Sequence, residues 1–467
     1  MRTILLYYFL FIIESVSAQT VAQKLDKAWS IFSKDEQLRH AIVGFSVVDS
    51  KTGKPIFERN AQVGLAPAST QKIITSVAAF ELLGKEYRFS TCFRLKKDIH
   101  RSGPFDLEIE SSGDPSFGSR RFSSTTDSVI IKNFYAVFKK RFPVKFDGAL
   151  LINDFKMGNA LPPGFTWEDM GNYYGAGSRQ LNWRENQYDV YFKSDSAINT
   201  QLVKVEPQQP QLEFRNFVTA QDYVKGDEIY IYCPPESKIA YLEGMMPINK
   251  KNFVVSGSMP NPALVLVEDL KKYNSALFPF SRIGIVKREH IFQYYDRAYY
   301  QYDTVYTHFS PPLDSLNFYF LKKSINLYGE AFVKAISNRS MDKPYKSTED
   351  GVEKMKSFFT TKGIDSSSLK IIDGSGLSPQ NRVTSDALVK VLQYARTRPW
   401  FSSFYNALPE YNGMKMKSGS IGGARAYAGY HKATSGKEYS FSIIVNNFDG
   451  SSAEIVRKMY KLLDVLK

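Results

Sequence analysis

Pro67-Ala68-Ser69-Thr70-Gln71-Lys72 closes a short loop that begins at Leu65 and opens the first strong helical stretch of the chain. Ile73, Val77 and Phe80 follow at helical spacing, which predicts a helix over residues 69–83. A serine and a lysine three positions apart share one helix face, so the amine reaches the hydroxyl. Burial and a neighbouring positive charge would depress the lysine pKa until its neutral amine serves as base toward the serine. The helix N-terminus favours developing negative charge there. Alone the pair carries little weight, because a serine at a helix start is commonly a cap.

Outward from this stretch the two chain ends mirror each other. Val21 to Phe32 reads as an amphipathic helix, residues 41–48 as a strand, Lys51-Thr52-Gly53-Lys54 as a turn and residues 55–59 as a second strand. Near the C-terminus, residues 427–432, the turn Thr434-Ser435-Gly436-Lys437 and residues 439–446 form another strand pair, followed by a helix over 451–466. The expected fold is therefore α/β of the α+β kind, one antiparallel sheet flanked by helices and assembled from both termini. Between them, residues 89–290 hold short strand-like runs at 107–110, 149–152, 188–192 and 228–232, separated by Pro, Gly and Asn clusters. They read as an inserted β-rich region of two nested domains, with 19–88 and 291–467 as the host domain. At 467 residues the chain exceeds what one core serves.

Two further motifs give Ser69 and Lys72 meaning. Lys323-Ser324-Ile325-Asn326 carries Ser-x-Asn, and Lys417-Ser418-Gly419-Ser420 stands just before the C-terminal strand pair. In this order the three segments correspond to the Ser-x-x-Lys, Ser-Asp-Asn and Lys-Thr-Gly motifs of penicillin-binding proteins and serine β-lactamases, with Ser418 in place of the more usual Thr. With its long gap between Lys72 and Ser324, the chain resembles the D-alanyl-D-alanine carboxypeptidase and endopeptidase family of low-molecular-mass, class C penicillin-binding proteins. Ser112-Gly113-Asp114-Pro115, Pro163-Gly164-Phe165-Thr166-Trp167-Glu168-Asp169 and Asp373-Gly374-Ser375-Gly376-Leu377-Ser378 are also similar to that family.

The resemblance implies a β-lactamase/transpeptidase-like fold with a large insert, and an acyl-enzyme on Ser69 with Lys72 as base. Ser324 would relay a proton to the leaving amine, and Asn326 would bind substrate backbone. Lys417 would hold the substrate carboxylate and keep Lys72 deprotonated. Ser418 and Ser420 would bind substrate, with the backbone N–H groups of Ser69 and Ser420 as oxyanion hole. Asp169 would meet the amine of a stem-peptide side chain. The implied partners are peptidoglycan stem peptides, with β-lactams as covalent inhibitors. Ile325 stands where many relatives have Asp, Pro379 where some have Arg and Gly422 where some have Gln; Arg382 lies nearby. The run 373–378 reads as a tight turn near the cleft rather than as catalytic.

Composition sets the remaining bounds. Arg2, an apolar run over 4–13 and Val16-Ser17-Ala18 form a signal peptide pattern over residues 1–18, so a secreted, periplasmic or cell-envelope protein with no span after cleavage is expected. The net charge of +14 is spread along the chain without a basic arm or zinc module, which argues against nucleic acid. Cys92 and Cys233 form no Cys-x-x-Cys pair; export permits a disulfide, and two separate thiols are the alternative. No cofactor or metal is called for: there is no H-E-x-x-H, no phosphate loop and no G-x-S-x-G elbow. His40, His100, His290, His308 and His431 are scattered. Two other readings stay open, a β-lactamase or esterase on the same fold and a non-catalytic wall-binding protein that uses its aromatic-rich surface. Oligomeric state is not legible.

Overall fold

The computed structural model describes residues 19–100, 104–143, 146–154, 156–196, 199–273, 282–286, 300–337 and 346–467. The signal pattern, His290 and the junction at 290/291 lie outside the described residues.

A six-stranded antiparallel sheet organises the host part, in the order Glu410–Tyr411, Met414–Ile421, Ala424–Lys432, Glu438–Asn446, Ile42–Asp49, Pro55–Arg59. The N-terminal strand enters beside the C-terminal one in unbroken register from Ile42 opposite Asn446 to Asp49 opposite Tyr439. Alternation along the strands sends successive side chains into two cores. Phe45, Val47, Phe441 and Ile443 pack under the terminal helices Val21–Phe32 and Ser452–Leu463. Ala426, Ala428, Tyr430 and Ile444 face the helices Lys72–Leu82, Asn326–Ile336 and Ser385–Arg396. Helix Val21–Phe32 starts where the sequence places it because Thr20 and Gln23 close a reciprocal capping box.

The expected helix over 69–83 is divided. Ala68–Gln71 form one 3₁₀ turn, and the α-helix runs from Lys72 to Leu82. Residues three apart eclipse in a 3₁₀ turn, which brings Ser69 and Lys72 closer to alignment than an α-helix would. The helix is buried nearly all round, with Ile73, Ile74, Val77 and Ala78 fully covered, so its position is set by packing on every side.

The inserted region contributes a five-stranded mixed sheet and two three-stranded sheets around one aromatic-rich core that includes Phe93, Phe134, Trp183 and Tyr188. Tyr300–Phe309 pairs antiparallel with Ser90–Asp98, so the inserted sheet draws on residues beyond position 290. The returning strand covers an edge that would otherwise offer unpaired backbone groups. Cys92 and Cys233 are unbridged.

Polar contacts from three side chains of helix Asn326–Ile336 fasten the insert to it. The Lys334 Nζ, in a side chain 1% exposed, donates to the carbonyl oxygens of Asn159 (2.6 Å), Ser178 (2.6 Å) and Ala160 (3.4 Å). Tyr328 donates to Glu185 Oε1 at 2.7 Å, and Arg121 and Ser119 donate to the same carboxylate. The Asn326 Nδ2 donates to the Tyr174 carbonyl at 2.7 Å. Replacing Lys334 by Met should strand those buried carbonyls and lower stability by about 2–4 kcal/mol, read as a fall in the urea midpoint.

Candidate active site

Ser69, Ser324, Asn326, Ser418, Ser420 and Asp169 line one cavity of about 780 Å³ between the host domain and the insert. Lys72 lies beneath its floor with no exposure, and Lys417 is buried on the same strand as Ser418.

Lys72 Nζ is 2.8 Å from Ser69 Oγ, 2.6 Å from Asn326 Oδ1 and 2.8 Å from the Ser375 carbonyl oxygen. The Asn326 amide is oriented by its own bond to Tyr174, so the oxygen faces the amine. Burial foremost, and the charge of Lys417 second, push the Lys72 pKa well below the usual lysine value, while Asp373 and Glu330 pull it upward. A neutral amine has two N–H bonds and one lone pair. The amide and backbone oxygens can only accept, so they take both N–H bonds and leave the lone pair for the Ser69 hydroxyl proton.

The turn Asp373–Ser378, a tight turn beside the cleft as expected, supplies one of those two acceptors through the Ser375 carbonyl. The Asp373 carboxylate accepts from the backbone N–H of Gly376 and of Ser378, both at 2.7 Å. Gln71 Nε2 donates to the Asp373 carbonyl (2.7 Å) and carboxylate (2.8 Å), tying this turn to the residue beside Lys72. The turn closes so tightly on the nucleophile that a Cβ at Gly376, whose φ is +80°, would sit 2.0 Å from the Ala68 carbonyl oxygen. Glu330 accepts from the Gly374 N–H at 3.0 Å, and burial with the nearby Asp373 pushes its pKa up to about 8. The polar signal was present in the sequence as Gln71 and Asp373, but nothing local links positions so distant.

On the strand Met414–Ile421 the direction of the backbone groups alternates. Met416 N–H donates to Pro409 O rather than to the neighbouring strand, so the N–H groups of Ser418 and Ser420 point to the same open edge. Lys417 donates to the Ser418 carbonyl at 2.8 Å, and burial lowers its pKa to about 7. Gly419 lies against the nucleophile turn, where a Cβ would be 2.5 Å from Pro67 O and 3.0 Å from Thr70 N.

Ser324 holds a left-handed φ of +57° at the entrance of helix Asn326–Ile336, and Ile325 packs into the helical core, which accounts for an apolar side chain there. Asp169, in the short helix Trp167–Met170, accepts from Thr166 Oγ1 at 2.7 Å, and burial raises its pKa. Pro379 and Gly422 are on the same cavity wall, whereas Arg382 donates to the carbonyls of Pro379 and Asn381.

A serine hydroxyl held 2.8 Å from a buried lysine amine whose pKa is depressed, at the floor of an open cavity, is the working arrangement of a serine-type acyl-transferring hydrolase, the class this fold and site define. The model of the D-Ala-D-Ala carboxypeptidase 3 (S13) family matches residues 21–410, and the chain belongs to that family. It is a serine-type D-Ala-D-Ala carboxypeptidase. It is 25% identical over 451 residues to the D-alanyl-D-alanine carboxypeptidase of Actinomadura sp. (strain R39), covering 89% of this chain and 80% of the relative. The crystal structure of penicillin-binding protein 4 (dacB) from Haemophilus influenzae superposes with a TM-score of 0.74 at 18% identity, covering 95% of this chain and 99% of the other. The same protein complexed with a novel β-lactam gives 0.69 at 17% identity, with 95% and 98% covered.

Because Gly419 leaves no room for a methyl group, Gly419→Ala should displace the nucleophile turn and lower the rate of Ser69 acylation by about 100-fold, with the fold retained by circular dichroism.

Proposed function

We propose that Ser69 attacks the carbonyl of the penultimate D-alanine of a peptidoglycan stem while Lys72 accepts the hydroxyl proton. The observation that carries this reading is the 2.8 Å Ser69–Lys72 contact, with the other two positions around Nζ taken by acceptors. The carbonyl oxygen becomes an oxyanion between the N–H groups of Ser69 and Ser420, where preorganised donors are worth most. Collapse breaks the peptide bond, the proton passes through Ser324 to the departing D-alanine amine, and a serine ester remains. Water then hydrolyses the ester, giving the shortened stem and free Ser69.

Asn326 reads the substrate backbone and steadies Lys72. Lys417 supplies positive potential behind Ser418, whose hydroxyl with that of Ser420 reaches the substrate carboxylate. Asp169 faces the cavity beside Glu168, where it would receive the amine of the stem's third residue. The same acyl-enzyme would serve both release of terminal D-alanine and cleavage of cross-links between stems. A β-lactam would acylate Ser69 as the stem does, in keeping with the β-lactam complex of the Haemophilus protein. The signal pattern over residues 1–18 supports a site of action outside the cytoplasm, and no helix among the described residues is long and apolar enough to cross a membrane.

A fluorescent penicillin should form a persistent adduct that Ser69→Ala abolishes; rapid drug turnover would favour a β-lactamase instead. The labelling rate requires neutral Lys72 and charged Lys417. Lys417 loses its proton as pH rises through about 7, so the rate should fall above that value, and Lys417→Arg should keep the cation and move the decline to higher pH.

A further inference from the structure

We propose that the outward face of the three-stranded sheet formed by Glu213–Gln221, Ile239–Pro247 and Glu228–Tyr232 is a platform for a β-1,4-linked amino-sugar glycan, continuous with the catalytic cavity. The proposal rests on the reading that the substrate is a peptide stem attached to such a glycan.

Register defines the face. Arg215, Tyr241 and Tyr232 are partners in one row across the sheet, and Phe217, Glu243 and Tyr230 form the next. The alternate residues Val218, Leu242, Ile229 and Ile231 turn into the insert's core, so these two rows point outward. Phe217 is 59% exposed and Tyr230 44%. Phe217 and Tyr241 lie nearly parallel, with centroids 6.5 Å apart and planes at 14°. Trp167, 51% exposed, extends the surface by stacking on Tyr232 at 5.7 Å and 24°. Grouped aromatic exposure of this kind marks a binding surface rather than ordinary solvent-facing sheet.

The chemistry of the rings selects the occupant. Three of the five are tyrosines, the others Phe217 and Trp167, so flat apolar faces end in polar edges. Arg215 and Glu243 stand in the same rows. A pyranose presents a C–H face to such rings and hydroxyls to such edges, whereas a lipid tail or an apolar protein patch would be matched by aliphatic side chains.

The sheet face also adjoins the catalytic cavity. Tyr230 lines the catalytic cavity, and Trp167 directly precedes Glu168 and Asp169, which line it too. The platform thus begins at the cavity wall, where the polymer bearing a stem bound at Ser69 must pass.

The test titrates the full chain with chitohexaose and with peptide-free glycan strands, comparing wild type with the Phe217→Ala/Tyr241→Ala variant. Wild type should bind both, and the variant should bind roughly tenfold more weakly, from the loss of two stacking faces. Turnover of intact wall polymer should fall by a similar factor while turnover of a soluble pentapeptide ending in D-Ala-D-Ala is unchanged. Phe217→Ser, a single exposed change, should show weaker glycan binding even if the double variant fails to fold, and Phe217→Tyr should restore it. Equal glycan affinity in wild type and variants would overturn the proposal. So would parallel loss on both substrates, or a dimer in sedimentation that the variants dissolve. If wild type fails to cleave the soluble pentapeptide, the proposed reaction falls, and the glycan titration still decides the platform.

Discussion

Lys72 has no exposure to water, and most of the site's geometry follows from keeping an amine there. A charged ammonium in that position would cost several kcal/mol of lost hydration unless an ion pair returned it. Among the described residues no carboxylate is hydrogen-bonded to Nζ; its partners are a hydroxyl, an amide oxygen and a backbone carbonyl. Lys417 adds like-charge repulsion from the neighbouring strand. Desolvation and repulsion act in the same direction, and the neutral amine they favour is the form able to take a proton from Ser69.

Each of the three partners depends on a different part of the chain. Ser69 is placed by a 3₁₀ turn in which Ala68 adopts a left-handed φ of +46°, wedged between Gly376 and Gly419. The Ser375 carbonyl is placed by Asp373, whose carboxylate bonds knit the turn. Asn326 is placed by the Tyr174 carbonyl, which comes from the insert. The insert therefore completes the base's surroundings as well as walling the cavity, and the buried Lys334 and Glu185 contacts hold it in place.

Much of this was legible because it is locally encoded. Helix Val21–Phe32 and strands Pro55–Arg59 and Glu228–Tyr232 follow from periodicity and punctuation, and their observed bounds agree with the reading. The three motifs pointed to residues that the fold gathers around one cavity. What could not be read depends on close approach between distant segments. The 3₁₀ turn Ala68–Gln71 ahead of the helix sits where Gly376 and Gly419 approach Pro67, Ala68 and Thr70 closely, a contact that local propensity does not encode. The role of Ser375 passes through its carbonyl, which any residue carries. The inserted sheet extends to Phe309 because an antiparallel partner waits at Ser90–Asp98, a pairing that strand propensity alone does not assign.

The state of the Lys72 amine is the quantity on which the account turns. Lysines labelled with ¹³C at Cε, with the Lys72 signal assigned by its loss in Lys72→Arg, report that state directly across a pH titration. Lys72 should give a signal at the neutral-amine position at pH 7, moving toward the charged position when Lys417 is replaced by Met. A Lys72 that remains an ammonium ion at pH 7 and titrates near the ordinary lysine value would contradict it.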